Sequence, residues 1–311
     1  MRAPALHLRL VALLCWAAAV AAFAHEGPEH EIDELTERMK THGESANLLS
    51  ERAIEYRVLG KLAEATADLD RAAVLAPLRI AVHRELARVL FLGGKVPEAL
   101  AAVARGLALK TDDPSEIADL RMLRAEILRS QNEHKKALED CDAALRVHKQ
   151  NPEWYLFRSD LQRQLKLSKE RIAGLDEGLR ETGAGILQSE RIEALIDAGQ
   201  FAVALPVIET ELADSRIKSS WLLRRARAQL GLGKKTEAER DLRDALKEID
   251  ARLRPKTPDV PLLLNKALAH ELLGEKKDAL RAYEEARDKG IGDAVNDKIK
   301  ALQEPAPAAK P

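Results

Sequence analysis

Along most of the chain, apolar residues recur at steps of three and four, the spacing that lines one face of an α-helix. Polar turns containing Gly or Asn interrupt the pattern at regular intervals. Ser220–Ala245 (SWLLRRARAQLGLGKKTEAERDLRDA) shows the unit plainly: one amphipathic helix, a turn at Gly233 and a second amphipathic helix. Ala226 lies inside the first helix, and Ala238 and Ala245 lie on the second.

The small residue inside each first helix gives a register: Ala53, Ala87, Ala125, Ser159, Ile192, Ala226 and Ala267, at steps of 34, 38, 34, 33, 34 and 41. The small residue opening each second helix gives another: Ala65, Ala99, Ala137, Arg171, Ala204, Ala238 and Ala279, at the same steps. Two registers drifting together mean whole units of about 34 residues with insertions between them. Asp112–Ser115 and Arg254–Pro258 carry the insertions, the latter with two prolines that forbid continued helix. The predicted helix-to-helix turns hold Gly60, Gly93-Gly94, Asn132, Gly199, Gly233 and Gly274. Further small residues at Ala72, Gly106, Ala144, Gly178, Ala245 and Ala286 allow close helix approach. The middle departs most: Arg171 stands where Ala is expected, Ile192 is large, and Gly183-Ala184-Gly185 loosens a join, a local distortion or a hinge.

This pattern resembles the tetratricopeptide repeat, a 34-residue helix–turn–helix unit with small residues in both helices, Gly at the turn and Pro at the end. The resemblance covers residues 46 to 289. It implies an all-α, right-handed superhelical solenoid of about seven repeats with N- and C-terminal capping helices. It implies a scaffold or adaptor that binds a protein or peptide in its concave groove, without catalysis.

The flanks divide accordingly. Residues 1–24 read as a secretory signal: Arg2 and Arg9, an apolar run Leu10–Ala22, then Ala22-Phe23-Ala24 before a cleavage point. The run is short for a membrane span. The expected location is exported, periplasmic or extracellular, with no stable membrane span after cleavage. Residues 25–45 form a mobile histidine-bearing start and a capping helix with Ile32, Leu35 and Met39 on one face. The repeat array runs over 46–290, a C-terminal capping helix over 291–303 and a disordered Pro/Ala-rich tail over 304–311.

Charged residues make up 32% of the chain, but the formal net charge is only −1, so no global field favours nucleic acid or an anionic surface. Cys15 leaves with the signal, so Cys141 stands alone and no intramolecular disulfide forms; an inert buried thiol is expected. No nucleophile elbow, phosphate-cradling Gly loop or helical His pair is present, and neither catalysis nor a cofactor is expected.

Two candidate sites remain. The first is metal: cleavage after Ala24 leaves His25 as an N-terminal residue offering amine and imidazole, with His30 nearby, a chelate suited to copper. A metal-handling accessory protein is thus the alternative function. The second is the groove. In the family frame, positions 2, 5, 9 and 12 of each first helix face inward. They include Asn47, Ser50, Ile54, Arg57, Ala81, Arg84, Arg88, Phe91, Asp119, Met122, Glu126, Arg129, Asp160 and Arg163. Arg57, Arg84, Arg88, Arg129 and Arg163 make a basic file, joined further on by Arg227, and arginine forks suit carboxylates. Ile186, Ile196, Leu223, Leu230, Leu264 and Leu268 predict an apolar second half. Glu126, Asp160 and Glu193 could instead neutralise the file.

Overall fold

The computed structural model describes residues 27–254 and 259–304. The signal segment, His25 and all of the tail beyond Glu304 lie outside the described residues. The described residues are helical, with short turns. They fall into two packing units, residues 1–148 and 149–311.

In the first unit, α1 (Pro28–His42) precedes three hairpins. These are α2 (Ala46–Val58) with α3 (Leu62–Leu75), α4 (Ile80–Leu92) with α5 (Val96–Leu107), and α6 (Pro114–Ser130) with α7 (His134–Leu145). The second unit has four: α8 (Pro152–Gln164) with α9 (Ser168–Thr182), α10 (Gly185–Asp197) with α11 (Phe201–Asp214), α12 (Ser219–Gly231) with α13 (Lys235–Arg252), and α14 (Val260–Leu272) with α15 (Lys276–Ala286). A short helix, α16 (Asn296–Gln303), follows.

Local chemistry sets these boundaries. Asp113 and Asn151 accept the backbone N–H two residues on, and Pro114 and Pro152 open α6 and α8 behind them. Each hairpin turn holds one residue at positive φ: Gly60, Gly94, Asn132, Lys166, Gly199, Gly233 and Gly274, at the spacing of the repeats. Six are Gly or Asn, as that backbone region favours; Lys166, at φ 59°, was not foreseen.

Every residue of both registers is buried, from Ala53 at 0% exposed to Arg171 at 4%. Their smallness serves the close approach of helices. A Cβ added at Gly106 of α5 would lie 2.7 Å from Leu120 of α6, and one at Gly178 of α9 would lie 2.7 Å from the Tyr155 ring. Leu69, Leu86, Val103, Leu123 and Ile127 fill the volume of the first unit, and Ile208, Leu242 and Ile249 that of the second. Each such side chain contributes roughly 1.5–3 kcal/mol by burial.

Two expectations about the flanks need correction. The N-terminal helix starts at Pro28, with Gly27 before it, so His30 sits in the first turn of α1 and not in a mobile lead. At the other end Gly290 and Gly292 take positive φ in a π-turn and a 3₁₀ turn, and regular helix resumes only at Asn296. The division into units falls after His148, upstream of the Arg171–Ile192 region where the repeats depart. The departure shows instead as a loosely paired hairpin: α10 and α11 touch far less than the helices of the other hairpins. Ile192 stands at its small-residue site, and Pro206 interrupts the α11 hydrogen-bond ladder.

Candidate functional site

Within each unit the first helices of successive hairpins touch, α2 to α4 to α6 and α8 to α10 to α12 to α14, whereas successive second helices barely meet. The first helices therefore line the inner side of each unit. A hollow between α2 and α4 gathers five of the expected inward residues: Asn47, Ser50, Ile54, Ala81 and Arg84. Arg79 joins them and donates to the Asn47 side-chain oxygen.

The arginines of the file are met by acids. Arg57 Nε faces Glu85 Oε2 at 3.7 Å, and both atoms are buried without a hydrogen bond. Arg84 reaches Asp119 Oδ2 at 2.5 Å and Glu85 at 3.8 Å. Arg163 bonds Asp160 at 2.5 Å on its own helix. Arg227 takes Glu193 at 2.5 Å and Asp197 at 3.3 Å.

Arg88 differs. It is half-buried on α4, one helical turn beyond Arg84 and one before Phe91, and it forms no ion pair among the described residues. Its electrostatic neighbour is Glu126 of α6. Burial raises the Glu126 carboxyl above the usual range, and Arg88 and Arg129 pull it part of the way back. Phe91 packs half-buried on the first unit's core, and Arg129 is exposed at the end of α6.

The apolar half expected in the second unit is mostly spent on packing. Leu223 and Ile196 are core residues at 3% and 6% exposed, and Leu264 packs with Val295 and Ile299 of the C-terminal segment. Met122 of the first unit is likewise core. Ile186 alone among the six apolar candidates is largely exposed, at 59%.

Several residues of these faces escaped sequence reasoning. Arg171, out of register chemically, donates to Ser159 Oγ at 3.0 Å, Glu190 at 2.7 Å and Asp197 at 2.9 Å. Arg224 adds Glu193 at 2.8 Å and lies 4.8 Å over the Trp221 ring. Three guanidiniums and three carboxylates thus interlock α9, α10 and α12. For Arg224 the signal was available: an acid about one repeat length from an arginine stands beside it on the adjoining first helix, as Glu193 of α10 stands beside Arg224 of α12.

His25 lies outside the described residues. His30 is exposed on α1. Among the described residues no helix is long and apolar enough to cross a membrane.

Residues 50–115 and 190–255 match the family model described as tetratricopeptide repeat. No curated relative matches the chain. Among solved structures, a tetratricopeptide repeat protein from Parabacteroides merdae is similar, with TM-score 0.60 and 19% identity over 83% of this chain and 98% of that one. The C-terminal part of a TPR repeat-containing protein from Cytophaga hutchinsonii gives TM-score 0.56 and 14% identity over 81% and 98%. YrrB, described as a TPR protein with an unusual peptide-binding site, gives 0.51 and 15% over 67% and 97%.

Proposed function

We propose that this chain, built from tetratricopeptide repeats, is an exported, non-enzymatic scaffold that holds an acidic, extended peptide segment of a protein partner on the inner face of its first unit. The observation that carries the reading is Arg88: a half-buried guanidinium on α4, one turn from Arg84 and from Phe91, whose neighbouring carboxylate, Glu126, it shares with Arg129. A partially desolvated arginine gains most from a carboxylate supplied by a ligand, because the pair forms where water screens it least. The adjoining hollow offers Asn47, Ser50 and Arg79 for backbone or side-chain oxygens, and Ile54 for apolar contact. YrrB shows that a fold of this kind can carry a peptide-binding site. Export rests on the signal-like segment 1–24 and places the partner in the periplasm or outside the cell.

A peptide array probed with the labelled full chain tests this. Bound peptides should be enriched in Asp or Glu beside an apolar residue, and Arg88→Glu should erase the pattern while circular dichroism stays unchanged. An array indifferent to Arg88→Glu would remove the assignment.

A further inference from the structure

The turn closing the last hairpin carries chemistry that its counterparts lack. Three residues after the small marker of each first helix stand Tyr56, Leu90, Leu128, Gln162, Leu195 and Gln229; the last hairpin has His270. The frame therefore needs no histidine here. Gly274, at φ 76°, reverses the chain, and the Glu275 N–H donates to the His270 carbonyl at 2.9 Å. This locks the two residues face to face, with His270 Nδ1 2.6 Å from Glu275 Oε2. Asp278 lies one turn further along the start of α15. One ligand atom from each of His270, Glu275 and Asp278 lies within 4.8 Å of the other two.

We propose that His270, Glu275 and Asp278 bind a borderline divalent transition-metal ion, zinc foremost. One imidazole nitrogen and two carboxylate oxygens form a donor set that zinc accepts, with water in the fourth position. Zinc sits about 2.0–2.2 Å from such atoms. The ring and the Glu275 carboxylate open slightly to admit the ion, while Asp278 swings in by a side-chain rotation. The rival cations do not block this. Arg243 holds the other Glu275 oxygen, Oε1, at 2.7 Å, and so leaves Oε2 available while fixing the carboxylate's orientation, as outer-shell partners of metal ligands do. Arg281 lies 3.6 Å from Asp278 but is 79% exposed, and such a pair costs little to break. Asp250, in the same hollow, is already bound to Lys266 at 2.6 Å. The bound ion would clasp the end of α14 to the start of α15.

Zinc chloride titrated calorimetrically into the full chain near neutral pH tests the site. His270→Gln places in the last hairpin the amide that the frame already carries at Gln162 and Gln229, and Asp278→Asn alters a residue near the surface; circular dichroism checks both folds. A third variant, His25→Ala with His30→Ala, removes the N-terminal histidines. The wild type and the third variant should each bind one zinc ion, and the first two should bind at least about tenfold more weakly. Zinc binding unaffected by His270→Gln and Asp278→Asn, no binding at all, or a loss confined to the N-terminal variant would each overturn the proposal.

Discussion

Arg52 on α2 and Asp68 on α3, sixteen residues apart, form a two-pronged ion pair across the first hairpin, Nε to Oδ2 and Nη2 to Oδ1, each at 2.7 Å. The Asp68 side chain is only 6% exposed. The same clasp recurs as Arg124–Asp140 and Arg225–Asp241. Where the acid is missing from the frame, the base finds another partner. Arg158 turns to the Gly174 carbonyl at 2.9 Å and Glu177 at 2.7 Å, Arg191 to Asp176, and Lys266 to Asp250 at 2.6 Å. A Cβ at position 174 would lie 2.9 Å from the Arg158 guanidinium, so a side chain there would displace it. The second repeat dispenses with the pair and buries Leu86 and Ala102 instead.

The clasp predicts a non-additive pair of mutations. Arg52→Leu alone leaves a buried carboxylate without its partner and should cost about 3 kcal/mol, the lower part of the range for broken buried pairs. Adding Asp68→Ala reproduces the apolar solution of the second repeat, and most of that loss should return. Denaturant unfolding of both variants measures this. A double variant no more stable than Arg52→Leu would refute it.

Lys166 holds a left-handed backbone in a turn where six other repeats use Gly or Asn. Lys166→Gly should therefore stabilise the protein, by about 0.5–1 kcal/mol, since removing Cβ relieves the local clash. A rise in Tm is the readout; an unchanged or lowered Tm would mean that the lysine side chain compensates its own strain.

Glu271 ties down the C-terminal segment. It accepts from Tyr283 Oη and from Lys298 Nζ, each at 2.7 Å. Burial alone would raise its carboxyl, but these two donors outweigh it and hold the group below the usual range. Glu271→Gln keeps the shape and removes the charge. It should loosen α16 by about 1 kcal/mol, a modest figure because Lys298 is half exposed. Hydrogen exchange over residues 296–303 should accelerate while the hairpins keep their protection.

The repeat frame was legible because packing demands it: small residues at fixed offsets admit the neighbouring helix, and a turn residue at positive φ must follow. Lys166 hid because any residue can be forced into that turn at a cost. The clasps hid because sixteen residues span a turn between two helices, so helical periodicity does not align Arg52 with Asp68. The inner faces were legible as positions but not as surfaces. Ile196 and Leu223 occupy expected inward positions yet are buried in the core, and Asp119 and Glu193 reach the arginines from a neighbouring repeat.

The central claim, that the inner face of the first unit takes an acidic peptide through Arg88, meets its most direct test in fluorescence anisotropy. An acidic peptide selected from the array is titrated against wild type, Arg88→Glu and Glu126→Gln. Arg88→Glu should weaken binding at least about tenfold, the loss of one charge-assisted contact and its replacement by a like charge. Glu126→Gln removes the carboxylate that competes for Arg88 and Arg129, and should tighten binding. Equal affinity across the three proteins would contradict the account.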